Sequence, residues 1–222
     1  MRLSERLADY KRRQEAGQVP PITTEHLNVM YRATDDLIGT GQHERTLKVG
    51  ETFPDFELPD ESGKLVSSEP LLAAGPLVVV FYRGIWCDYC NFELEALEEV
   101  YPRIRELGAE LVGVSPVTMP GLRAAIRRNQ LSFRLLGDRG NSYARRFNIV
   151  YRLSDELQTV WRSFGMDFTK INGDDSLTLP MPAVYVAGPD HVVRFAEVHP
   201  DYWNRAEPEE VVAVLERLIT ES

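Results

Sequence analysis

At 222 residues and 25.3 kDa the chain has room for one domain and an extension, and its 43% hydrophobic and 27% charged residues exclude wholesale disorder. The longest apolar run, 77–82, is far too short to span a bilayer. Lys plus Arg number 25 against 34 Asp plus Glu; residues 1–46 hold seven of each sign, so the whole net charge of −9 sits on the remainder and argues against a nucleic-acid partner.

The N-terminal MRLSERLADYKRR has scattered charges and no apolar core segment, which argues against a secretory leader and favours a cytoplasmic setting. Residues 4–16 read as a helix capped by Ser4 and stopped at Gly17. A second begins near Thr24 with Leu27, Met30, Tyr31, Leu37 and Ile38 on one face, closing at Gly39 and Gly41. This pair forms a 1–46 helical extension that either covers its own domain or serves as a homodimer arm.

From Leu47 the texture changes, and 47–222 is taken as the main domain. PDFELPDESGKLV reads as strand, turn, strand, and the β-branched run 77–82 suits a central strand buried on both faces. Residues 88–107 have helical spacing, interrupted and kinked at Pro102. A strand over 110–114, a helix over 120–129, a strand over 133–136 and a helix capped by Ser154 follow. Residues 165–180 read as a loop, 183–187 and 192–196 as paired strands, and the stretch from Pro208 as a last helix. Strands alternating with helices and ending in a hairpin and a helix imply an α/β fold with a mixed central sheet flanked by helices.

The two cysteines, Cys87 and Cys90, are too few for a structural framework. They are three apart at the start of a helix that follows a buried strand, so they share one side and can close a small disulfide. Free N–H groups and the helix dipole there favour a thiolate, the form that attacks peroxides and disulfides. Core packing, a regulatory disulfide and a metal site are the competing readings. The last needs about four ligands, and His26, His43, His191 and His199 offer no complementary spacing. Redox chemistry without metal or organic cofactor is the preferred one.

FYRGIWCDYCNFELEAL resembles the active-site segment of the thioredoxin-like superfamily, and more narrowly its peroxiredoxin-like branch related to alkyl hydroperoxide reductases. PDFELPDESGKLV, LVGVSP and RFAEVHPDYWNRAEPEEVVAVL fit that branch too, so the resemblance covers about residues 47–222. It implies a thioredoxin-like fold and a hydroperoxide substrate. Thioredoxin or another thiol would serve as reductant.

Peroxiredoxins carry a proline, four residues on a threonine or serine, and three further the peroxidatic cysteine. These positions are Arg83, Cys87 and Cys90 here, so the resemblance makes Cys90 the attacking sulfur and Cys87 the resolving one. Glu93 matches an acidic or amide position, or is an ordinary first-turn carboxylate. Trp86 matches a thioredoxin-like position that lids the sulfurs and contacts partner proteins, or is plain packing. Pro182 stands where thioredoxin-like proteins place a cis proline and where peroxiredoxins hold an arginine. That arginine is missing from the pattern, with Arg83 as a possible substitute. Asp88 opposes ionisation of Cys87 while favouring the helix start. Trp161 and Phe164 read as core, and Trp203 as surface, interface or substrate wall. If Cys87 attacks instead, the chain is a thiol–disulfide oxidoreductase of protein disulfides. A non-catalytic redox-sensing or binding role is the third reading.

Overall fold

In the computed structural model, which describes residues 1–220, the chain order opens with α1 (Leu3–Glu15) and α2 (Thr24–Gly39), followed by the hairpin β1 (Glu57–Pro59) and β2 (Leu65–Ser67). Then come α3 (Ser68–Ala74), β3 (Leu77–Phe81), α4 (Asp88–Glu106), β4 (Glu110–Ser115), α5 (Met119–Asn129) and β5 (Arg134–Gly137). The chain continues through β6 (Val150–Arg152), α6 (Asp155–Ser163), α7 (Phe168–Asn172), β7 (Thr178–Pro180), β8 (Ala183–Ala187), β9 (Val193–Val198) and α8 (Pro208–Thr220).

The apolar run of β3 lies at the centre of a five-stranded sheet of order β5-β4-β3-β8-β9, fully buried along its length. β3, β4 and β5 are parallel, β8 runs antiparallel to β3 and β9 antiparallel to β8, which gives the expected mixed sheet. Alternation along β3 divides the interior, as period-2 side chains must. Val78 and Val80 join Leu94, Leu97 and Ile104 of α4 and Val211 and Leu215 of α8 on one face. Leu77, Val79 and Phe81 join Phe53, Phe147 and Tyr185 on the other. A third cluster packs Leu27 and Met30 of α2 against Leu157 and Val160 of α6.

Several local expectations change. Ser4 does not cap α1, whose N-cap is Arg2; instead the carboxylate of Glu207 accepts from Leu3 N (3.1 Å) and Ser4 N (2.9 Å). A long-range anion thus fills the role that a local hydroxyl was expected to fill. α4 runs on through Pro102, and Ile38 at the end of α2 is exposed. The stretch 165–180 is not all loop: Asp167 caps the short α7, and β7 pairs with β6, two elements too short to show periodicity. The helical extension lies on its own chain, Leu3, Leu7 and Tyr10 of α1 entering the cluster around α4. Among the described residues no helix is long and apolar enough to cross a membrane.

Candidate active site

β3 delivers the chain to a loop that ends at Cys87, the N-cap of α4. Gly84 makes the loop possible: its φ is +144°, and a Cβ there would lie 2.6 Å from Trp86 Nε1. Asn91, one turn into α4, ties the loop down by donating to the carbonyls of Ile85 (2.7 Å) and Cys87 (3.1 Å), and is itself held by Asn129 (3.0 Å). Cys87 and Cys90 are both free and buried. Cys87 Sγ accepts from the Cys90 backbone N–H (3.3 Å), as an N-cap side chain does, and from Arg83 Nη2 (3.0 Å).

Cys90 Sγ has a different neighbour, Arg205 Nη2 at 3.6 Å. Arg205 comes from the segment between β9 and α8 and is almost wholly buried. Its Nε donates to Glu93 Oε2 (2.8 Å), and its Nη1 to the carbonyls of Tyr202 and of Asn204 (2.7 Å). The guanidinium is therefore locked on three sides and aims its remaining nitrogen at the sulfur. Burial pushes the Glu93 carboxyl up to about 8 against the pull of Arg205, and its other oxygen, Oε1, has no donor to support the ionised form.

The surroundings push the two thiols in opposite directions. Burial opposes ionisation of Cys90, but the hydrogen bond from Cys87 and the charges of Arg205 and Arg83 outweigh it and hold this thiol well below its ordinary range. Burial, then the bond to Cys90, pushes Cys87 well up although Arg83 resists, so the second proton stays.

Cys87 meets a cavity of about 240 Å³, walled by Tyr10, Met30, Trp86, Phe164 and Tyr202 among others. Cys90 lies behind it, fully buried. Arg83 also reaches the cavity, its Cζ 4.4 Å from the Tyr202 ring centre and 5.2 Å from that of Trp86. Trp86 packs on Trp161 and Phe168, and Trp161 and Phe164, expected in the core, are half-buried cavity walls because α6 ends at its rim. Trp203 is half-buried, with Lys11 Nζ 4.8 Å from its ring centre.

A model of the AhpC/TSA family matches residues 49–196. The chain belongs to that family. A putative peroxiredoxin of Mycobacterium tuberculosis is 32% identical over 119 residues, 53% of this chain and 76% of that protein. A chloroplastic peroxiredoxin Q of Sedum lineare is 31% identical over 100 residues, 45% of this chain and 53% of its own. A thiol-disulfide oxidoreductase ResA of Bacillus cereus reaches 23% over 108 residues, 48% and 61% of the two chains. The crystal structure of a Mycobacterium tuberculosis peroxidoxin superposes with a TM-score of 0.61 at 21% identity, covering 78% of this chain and 98% of that one, and shows the shared fold.

Of the residues expected in this AhpC/TSA site, Arg83, Trp86, Cys87, Cys90 and Glu93 gather around the sulfurs. Pro182 is buried, and the register that sets Ala183 opposite Phe81 puts it beside the end of β3. Its bond to Met181 is not the expected cis one; among the described residues the cis bond is Pro20-Pro21. Met181 N donates to the Ile149 carbonyl (2.7 Å) and the Pro182 carbonyl accepts from His199 N (3.0 Å), so the segment follows an extended path from β7 into β8. Asp88 is neutralised at the helix start by Arg128 (3.0 Å) and accepts from the Tyr10 hydroxyl (2.5 Å). Sequence reasoning missed Arg205 and Asn91. Arg205, 115 residues beyond Cys90, brings a buried guanidinium to that sulfur. Asp55, Glu69 and His191 bring ligand atoms within 4.8 Å of one another, and none of them lines the cysteine cavity.

Proposed function

We propose that the chain is a thiol-dependent peroxidase that reduces hydroperoxides through a Cys87–Cys90 dithiol/disulfide cycle. The observation that carries this reading is the Cys90 sulfur facing Arg205, itself fixed by Glu93. A thiolate held under a preorganised guanidinium is what O–O cleavage needs, because charge moves from sulfur onto the departing oxygen. The Cys90 thiolate attacks the terminal oxygen of ROOH, giving sulfenic acid and RO⁻. The Cys87 thiol supplies the proton that makes ROH. The Cys87 thiolate, beside Arg83, then displaces hydroxide from Cys90, which takes up a solvent proton to become water and leaves the disulfide.

A thiol reductant closes the cycle, and thioredoxin fits as a dithiol donor in a cytoplasmic setting. Residues 1–46 act as an extension that completes the site, since Tyr10, Gln14, Val19, Ile22 and Met30 contribute to the cavity wall. One observation favours a second reading: only Cys87 of the pair meets the cavity, as an attack on protein disulfides through Cys87 would require.

Stopped-flow oxidation of reduced protein by hydrogen peroxide separates the two, with Trp86 fluorescence as reporter. Wild type and Cys87→Ser should react far faster than free cysteine, and Cys90→Ser no faster. Rapid oxidation that survives in Cys90→Ser and is lost in Cys87→Ser reverses the roles. No reaction above free cysteine in any of the three removes hydroperoxide as the substrate.

A further inference from the structure

Two buried arginines serve the pair, but only one has a carboxylate. Arg205 Nε is bonded to the Glu93 carboxyl at 2.8 Å. Arg83 is 4% exposed, and among the described residues no carboxylate comes within ion-pairing distance of it. Its neighbours are the Cys87 sulfur, the faces of Tyr202 and Trp86, and the phenol of Tyr151, whose own ionisation burial opposes. Its Nε has no hydrogen-bond acceptor. A buried cation without a counter-charge is costly, and with Cys87 Sγ 3.0 Å from its Nη2 the thiolate of the reduced pair is the negative charge at hand for Arg83.

Disulfide formation removes that charge and leaves the guanidinium in place. We propose that in the oxidised protein Arg83 becomes an anion-binding group of the cavity and selects, as reductant, thiols that carry an additional negative group. The cavity gives such a thiol a path to Cys87 Sγ, and among the described residues the one Asp, Glu, Lys or Arg on its wall besides Arg83 is Asp88, which is paired with Arg128. The reductant thiolate attacks Cys87 Sγ, the S–S bond breaks, and Cys90 leaves as the thiolate beside Arg205. A second reductant thiolate attacks the mixed disulfide, releasing the reductant's own disulfide, and one proton taken up restores the Cys87 thiol. The inference rests on the peroxidase reading only in that both require a Cys87–Cys90 disulfide.

The test uses protein oxidised with diamide, so that it does not depend on peroxide chemistry. Its reduction is timed with 2-mercaptoethanesulfonate, 2-mercaptoethanol and cysteamine, each rate divided by that of the same thiol with 2-hydroxyethyl disulfide to cancel intrinsic nucleophilicity. Wild type should favour the sulfonate over the ammonium thiol by about tenfold or more, the scale of one charge interaction at short range in a poorly screened site. Arg83→Gln should bring that ratio close to one, and Arg83→Lys should retain most of it. A wild-type ratio near one, or a ratio that Arg83→Gln leaves intact, overturns the proposal. Should Arg83→Gln fail to fold, ethanesulfonate at constant ionic strength must slow reduction of wild type by 2-mercaptoethanol; no slowing overturns it equally. If diamide forms the disulfide and hydrogen peroxide does not, the peroxidase reading fails while the selectivity of Arg83 is still measured.

Discussion

Arg83 and Arg205 are the same residue type at nearly the same burial, each with one nitrogen on one sulfur of the pair, yet their surroundings differ in kind. Arg205 is one corner of a closed network: a carboxylate, two carbonyls and the Cys90 sulfur take its donors. Arg83 is held by aromatic faces and by Cys87, with one N–H orphaned. The first arrangement fixes a charge where chemistry needs it, whatever the redox state. The second ties the comfort of a buried charge to the redox state itself. The difference shows that a guanidinium's function follows from what else it is bonded to.

Removing Arg205 breaks the closed network and should have the largest effect. Arg205→Met strips the donor from Cys90 and leaves Glu93 buried without a cation. Peroxide oxidation of Cys90 should slow by about 10²–10³-fold, the cost of losing one preorganised donor. Stability should fall by about 1–3 kcal/mol, as when a buried polar group loses its hydrogen-bond partner. Stopped-flow rates and urea melts check the two separately. A rate within twofold of wild type would mean that Arg83 alone supports the reacting sulfur, and the contrast between the arginines would collapse.

A pH series on Glu93 sharpens the comparison with a smaller effect. Its carboxyl is raised in the folded protein to about 8 from an ordinary value near 4.5. The folded state therefore holds a proton that the unfolded chain releases between those values, so this group's contribution to stability is present at low pH and declines as pH rises through that window. Glu93→Gln cannot ionise and should flatten the decline in urea-melt midpoints between about pH 5 and pH 8. A wild-type profile that rises over the same range, with Glu93→Gln unchanged, would show that the carboxyl stays ionised throughout as a fixed partner of Arg205.

How much of this was legible beforehand follows from distance along the chain. β3, α4, the β8–β9 hairpin and α8 announce themselves through β-branched runs and helical spacing, and burial follows the pattern. Cys87 and Cys90 could be placed at a helix start because strand, loop and helix are contiguous. α3 and α7, with seven and five residues, and the three-residue β6 and β7 are set by tertiary pairing, and their sequences carry no period long enough to see. Arg205 was invisible for a related reason. In a polar stretch such as DYWNRAEP nothing distinguishes a buried arginine from a solvated one, and its partners Glu93 and Cys90 are 112 and 115 residues away. Position-by-position matching to the family gave Glu93 its place, but only the packed chain shows why a carboxylate belongs there.

The smallest expected effect separates the two arginines through the segment that carries one of them. Two residues after Arg205, Glu207 accepts from the backbone N–H groups of Leu3 and Ser4 and thereby caps α1 from a distance. α1 in turn brings Tyr10 and Gln14 to the cavity that Cys87 and Arg83 face, with Gln14 Oε1 accepting from the Tyr89 hydroxyl (2.6 Å). Arg205 has no bond to α1 among the described residues; its hold is Glu93 and its own loop. Glu207→Ala should therefore cost about 1–2 kcal/mol of stability, as loss of a helix cap does, and raise hydrogen exchange in α1 most. Loosening α1 opens the cavity wall beside Arg83 to water and should blunt the preference among charged thiols. Peroxide oxidation at Cys90 should stay within about twofold of wild type, since the bonds of Arg205 to Glu93 and to its own loop are left intact. If oxidation at Cys90 falls as steeply as thiol selectivity, the two arginines share one support, and the loop from Tyr202 to Glu207 moves as a unit with α1.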